Sequence, residues 1–301
     1  MGEKTLARWA ATALLLNALV WGLSWWPLRA LEQHGLHPLW ATALVYWFAL
    51  ACVLALRPAA WRSCLRWPLL GVLALASGFT NIGFNWAVTV GDVVRVVLLF
   101  YLMPAWTVLL AWPILGEKPS RMALVRLCVA MAGVLLVLKQ PQSLWPLPQS
   151  LPDYLALGGG ISFALTNIML RKLRYTPDEA RMVAMFGGGA VMASMVALWG
   201  GYAGWVPPVP GLTTAWLPLA LCLALAFLVG NLALQFGAAR LRSTTTALVM
   251  LSEVVFASVS SVLLGVSSLG PRTLLGGALI LIAAAWAALA EDSPTPRAKV
   301  T

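Results

Sequence analysis

Charge is what this chain most lacks. Its 301 residues include 10 Asp or Glu, 20 Lys or Arg and 2 His, so 10% are charged, where soluble domains carry charge on about a quarter of their residues. A soluble fold is excluded. Cysteine is equally sparse: Cys52, Cys64, Cys128 and Cys222 lie far apart in or beside apolar segments, without a CxxC pair or a Cys/His cluster. Neither a disulfide framework nor a zinc site is indicated. No HExxH, phosphate-binding glycine loop, Ser/His/Asp order or pair of intramembrane acids occurs, so hydrolytic and ATP-driven mechanisms lack their parts. No enzyme activity, cofactor or metal is expected.

Apolar residues fill the space left by charge. Hydrophobic residues make up 61% of the chain and the mean hydropathy is +0.85. From Val96 to Leu115 there is no charged residue, and twenty residues at a helical rise of about 1.5 Å match a bilayer core of about 30 Å. Ten such spans are expected, near Trp9 to Leu28, Pro38 to Leu56, Trp67 to Val90, Val93 to Leu115, Met122 to Leu138, Tyr154 to Leu170, Met182 to Tyr202, Thr214 to Ala238, Thr244 to Leu264 and Thr273 to Leu289. The fold class is all-α integral membrane. The first run begins like a signal peptide, with Lys4 and Arg8, but ends in Ser24-Trp25-Trp26-Pro27 without a small-residue cleavage site, so it reads as a retained helix.

The formal charge of +10 is explained by orientation. With the N-terminus inside, sixteen of the twenty Lys and Arg fall on the inner side, leaving Arg29, Arg95, Lys139 and Arg272 outside. The positive-inside rule then places both termini in the cytoplasm. Dispersal of the charge through turns removes nucleic acid as a partner.

Three ungapped alignments recur in the same order. WGLSWWPLRAL (21–31) aligns with FALTNIMLRKL (163–173), NIGFNWAV (81–88) with NLALQFGA (231–238), and LMPAWTVLLAWPILG (102–116) with LSEVVFASVSSVLLG (251–265). They match the first helix to the sixth, the third to the eighth and the fourth to the ninth. Residues 1–140 and 153–290 therefore read as two five-helix repeats, joined by a proline-rich external linker at 141–152 and followed by a cytoplasmic tail at 291–301. Five is odd, so the second repeat must cross in the opposite sense, the inverted-topology plan of many secondary transporters, with a site near the mid-membrane.

Candidate site residues are the polar and aromatic side chains within spans. Glu253 is the one acid well inside a span and is the repeat mate of Pro104, which interrupts the fourth span. A buried acid there must face a polar cavity, find a partner or be protonated. It reads either as an ammonium-binding or proton-coupling group, or as a packing hydrogen bond. Pro104 marks either a kink beside a cavity or a packing bend. Asn17, Trp21 and Ser24 share a helix face, and Asn81 with Asn85, Asn231 with Gln235, and Ser162 with Thr166 are i, i+4 pairs. Each serves either a cavity or helix association. Trp21, Phe84, Trp86, Tyr101 and Phe163 could stack a flat solute. Asp92 and Arg95 are expected as a mutual ion pair or helix cap, or as an outer gate; Glu117-Lys118-Pro119 reads as an inner helix stop; His34 and His37 are expected to be solvated.

The ten spans, the two halves and above all PAWTVLLAWPILGEKPS (104–120) resemble the EamA repeat of the drug/metabolite transporter superfamily. Within it, FTNIGFNWAVTVGDVVRVVLLFYLMPAW (79–106) resembles exporters of aromatic amino acids of the YddG type. The resemblance implies a bacterial inner-membrane exporter with a central cavity lined by helices one, three, four, six, eight and nine. Two departures stand out: Glu253 replaces the usual proline and Val266 the usual terminal Glu of the repeat. The expected function is alternating-access export of amino acids, aromatic and large neutral, by rocking of one half against the other. The alternatives are export of another organic solute, such as a nucleobase or cationic drug, and a non-transporting membrane scaffold. The expected partners are the small-molecule substrate and membrane lipids, with a monomer as the working unit.

Overall fold

The computed structural model describes residues 3–116, 118–139, 147–173, 175–211, 216–238, 240–241 and 249–290. These are helical with short connections. In chain order the helices are α1 (Glu3–Leu23), α2 (Trp25–Gln33), α3 (Pro38–Leu56), α4 (Ala60–Leu65), α5 (Leu69–Val90), α6 (Val93–Phe100), α7 (Met103–Leu115), α8 (Arg121–Leu138), α9 (Leu151–Lys172), α10 (Asp178–Tyr202), α11 (Trp216–Ala238), α12 (Ser252–Leu263) and α13 (Pro271–Ala290).

Among the described residues, seven helical stretches are long and apolar enough to cross a membrane: Thr5–Gln33, Pro38–Leu56, Leu69–Val90, Val93–Leu115, Arg121–Leu138, Asp178–Tyr202 and Trp216–Leu234. Ser252–Leu263 and Pro271–Trp286 are apolar but shorter. Helix α9 has the length, 22 residues, but three successive glycines, Ser162, Thr166 and Asn167 dilute its apolar character.

Local sequence explains the breaks. The fourth segment splits at Tyr101–Leu102, and Pro104 takes the second position of α7, where its missing N–H removes no intrahelical bond. The ninth splits at Leu251, and Glu253 takes the second position of α12. The break residues Leu102 and Leu251 are repeat mates, as are Pro104 and Glu253.

Packing follows the same correspondence. Helix α1 packs on α11 and α12, while its repeat mate α9 packs on α5, α6 and α7. Likewise α11 packs on α3 as α5 packs on α10, α3 and α10 meet each other, and α8 pairs with α13. The tightest bundles therefore mix helices from both repeats rather than keeping each half to itself. At two crossings the backbones come so close that only glycine fits: a Cβ at Gly83 would lie 2.7 Å from the Leu155 carbonyl oxygen, and one at Gly188 would collide with that of Ala74.

Candidate functional site

The breaks in the fourth and ninth segments open onto one cavity of about 330 Å³, within the size range of small-molecule sites, about 300 to 1,000 Å³. It extends toward the first turns of α10, at Met182 and Met185, and the last turns of α11, at Asn231 and Leu234.

Ten of the candidate residues line it: Asn17, Trp21, Asn81, Phe84, Tyr101, Pro104, Phe163, Thr166, Asn231 and Glu253. Three aligned pairs of the repeat, Trp21 with Phe163, Asn81 with Asn231 and Pro104 with Glu253, thus meet in a single space. Glu253 is buried, and the Tyr101 hydroxyl donates to its Oε2 at 2.8 Å while lying 3.2 Å from the Met250 carbonyl oxygen. The first turn of a helix favours negative charge through the exposed N–H groups and the macrodipole, so α12 presents Glu253 where a carboxylate is best tolerated.

The amides are held by neighbours. Asn17 donates through Nδ2 to Met250 Sδ at 3.3 Å, Asn231 donates to the Phe227 carbonyl at 3.3 Å, and Asn81 Oδ1 accepts from the Tyr46 hydroxyl at 2.6 Å. Thr166 donates to the Ser162 carbonyl at 2.9 Å.

Along the cavity the rings form a connected wall. Trp21 stacks on Phe227 with centroids 4.4 Å apart and meets Phe84 edge-on; Phe84 packs on Phe100 at 4.7 Å, and Phe100 stacks on Phe163 at 5.3 Å. Tyr46 closes against Phe227 and Phe186.

Four candidates, Ser162, Ser24, Asn85 and Trp86, are not among the lining residues. Ser24 is buried one turn beyond Trp21 and donates to its carbonyl at 2.7 Å. Asn85 is buried against α3, where Nδ2 donates to Thr42 Oγ1 at 3.2 Å. Trp86 stands five residues after Asn81, about 140° around the helix, and stacks on Trp205 at 5.7 Å, with His37 edge-on. The side chain of Gln235 lies outside the described residues, as does Glu117. Conversely, Tyr46, Phe100, Asn167, Phe186 and four methionines, Met103, Met182, Met185 and Met250, line the cavity. Only Asn167 carried a sequence signal, as the residue after Thr166 in the aligned FALTNIML.

The end of the bundle formed by the end of α5 and the starts of α6 and α9 holds the remaining expected charges. Asp92 caps α6, accepting from the Arg95 backbone N–H at 2.8 Å. The Arg95 side chain pairs with Asp153 instead: Nε lies 2.6 Å from Oδ1 and Nη2 2.9 Å from Oδ2, and Nη1 donates to the Val137 carbonyl at 2.6 Å. Of the expected ion pair or cap between Asp92 and Arg95, the structure has the cap, and the Arg95 side chain pairs between repeats. Arg29 donates to the carbonyls of Val88 and Gly91, closing the end of α5. His37 is half-buried rather than solvated; its Nδ1 accepts from Leu39 N–H at 3.2 Å as the cap of α3, and burial lowers its pKa below the ordinary value.

Comparison with known proteins bears on this arrangement. The model of the EamA-like transporter family matches twice, at residues 8–139 and 150–289. No curated protein matches the chain. A solved structure described as "Crystal structure of protein" superposes with a TM-score of 0.57 at 21% identity, covering 93% of this chain and 96% of that one, a likeness of fold.

Proposed function

The chain belongs to the EamA-like transporter family, and on that premise we propose that it exports amino acids, aromatic and other large neutral ones, and related metabolites across the bacterial inner membrane by alternating access. The observation that carries this reading is the meeting of three aligned residue pairs in one cavity between the repeats. A solute there would touch both repeats at once, and a shift between the bundles would expose it to one side or the other.

In this reading the chain makes ten crossings as two inverted-topology repeats with both termini cytoplasmic. The exchange of helix partners supports it: α1 with α11 and α12 corresponds to α9 with α5, α6 and α7. The inner side given by the charge count is the side toward which Met182 and Leu234 extend the cavity, so the arrangement loads substrate from the cytoplasm. The Arg95–Asp153 pair and the ring wall close the outer path. The moving bodies are the mixed bundles, and a single chain supplies the whole cavity.

Purified protein in liposomes provides the test, with flux of a panel of amino acids measured with and without a pH gradient. Flux of aromatic amino acids above that of empty vesicles is expected. Absence of flux for every amino acid overturns the substrate assignment, and absence for every organic solute leaves a membrane scaffold.

A further inference from the structure

The cavity is electrically one-sided. Among the described residues that line it, Glu253 is the only charged side chain; no Lys, Arg or His is present. An amino acid brings an ammonium group and a carboxylate into this space. The ammonium finds the Glu253 carboxylate in a cavity also lined by the rings of Trp21, Tyr101, Phe100 and Phe163, whose faces favour a desolvated cation. Among the described residues the carboxylate finds no positive partner, and an unpaired charge is the costliest thing to bury in an apolar site.

The neutral polar groups lean the same way. Three of the lining asparagines turn an N–H donor to a protein acceptor: Asn17 to Met250 Sδ, Asn167 to Met103 Sδ and Asn231 to the Phe227 carbonyl. The unmet atom is an acceptor. Asn17 is fully buried, and its Oδ1 receives no hydrogen bond among the described residues. The four methionines add adaptable, polarisable surface that suits rings of varied shape.

We propose that this cavity selects aromatic monoamines, a flat ring carrying one ammonium and no carboxylate, over the amino acids that share the ring. The inference rests on the transporter reading of the same cavity and ranks the amines above the amino acids, which remain its weaker substrates. Glu253 binds the ammonium, Tyr101 orients the carboxylate through its 2.8 Å hydrogen bond, and the rings take the flat part of the solute.

The test is calorimetric titration of the full chain in detergent with three ligands of common ring size: phenethylamine, phenylalanine and 3-phenylpropionate. Phenethylamine is expected to bind about tenfold or more tighter than phenylalanine, with 3-phenylpropionate weakest. In Glu253→Gln the gap between phenethylamine and phenylalanine should close. Equal or tighter binding of phenylalanine or 3-phenylpropionate overturns the proposal, as does a gap that survives Glu253→Gln in folded protein. The wild-type ligand series decides the matter even if that variant fails to fold. Flux in liposomes separates the two readings: amine-selective binding without flux sustains this inference and removes the transporter assignment. Flux of phenylalanine without amine preference does the reverse.

Discussion

Arg95 and Asp153 join the two repeats through a two-point ion pair, with Nε 2.6 Å from Oδ1 and Nη2 2.9 Å from Oδ2. The Asp153 side chain is 1% exposed and that of Arg95 19%, so removing either partner strands a largely buried charge. Arg95→Gln or Asp153→Asn is expected to lower stability by about 2 to 4 kcal/mol, toward the lower part of the range for broken buried pairs because Arg95 keeps some solvent. Thermal melts in detergent measure this. The double variant Arg95→Met/Asp153→Leu should recover much of the loss, and a double variant as unstable as the sum of the singles would remove the pairing as the cause.

Glu253→Gln keeps an oxygen acceptor for the Tyr101 hydroxyl, so thermal stability should change by no more than about 1 kcal/mol, the net worth of one hydrogen bond. Liposome flux of an amino-bearing solute should nonetheless fall by about tenfold or more, since the lost term is a charge interaction. Unchanged flux and unchanged response to a pH gradient would remove Glu253 from the binding role.

Gly188→Ala should cost about 1 to 3 kcal/mol, the usual scale of overpacking, because the new methyl meets the Ala74 backbone. Gly158→Ala, on α9 but with open space around its Cβ position, should be neutral or stabilising by up to about 1 kcal/mol from helix propensity. Melting temperatures of the two variants should move in opposite directions or differ clearly; equal shifts would contradict the close crossing of α5 and α10.

His37 ties stability to pH. Burial lowers its pKa in the folded protein below the ordinary 6.5, so below that pH the unfolded chain binds more protons than the folded one. Stability is therefore lost as pH falls from about 6.5 toward the lower folded value, and the protonated ring also ceases to accept from Leu39 N–H. His37→Asn retains a good helix cap without titrating. Its melting temperature should fall less steeply between pH 7 and pH 5 than that of the parent chain, and parallel curves would refute the assignment.

The sequence carried the helices and the break at Pro104 because chemistry along the chain marks them: long runs without charge, and a residue that cannot donate. It also carried the equivalence of Pro104 with Glu253, since the repeat preserves Leu102 and Leu251 at both breaks. It could not separate cavity from packing for single rings. In a soluble helix the apolar stripe marks the buried face, but here lipid and core are both apolar, so Tyr46 and Phe227 look like any other residue of their helices. Trp86, five residues from Asn81, turned away because the helix carries it about 140° round. Arg95 looked to Asp92 because a sequence displays neighbours three residues apart, whereas Asp153 lies 58 residues away.

The partnership of α1 with α11 and α12 sets an order of assembly. Helix α1 leaves the ribosome first, yet Trp216 at the start of α11 follows Leu23 by 193 residues, on the order of 10 to 40 s at synthesis rates of about 5 to 20 residues per second. During that interval α1 lacks α11 and α12, and Asn17 lacks Met250, while α9 on emerging finds α5, α6 and α7 already made. The second repeat is thus received by a waiting surface, whereas the first is completed only near the end of translation. A chain cut before α11 would leave its earliest helix unpartnered in the bilayer.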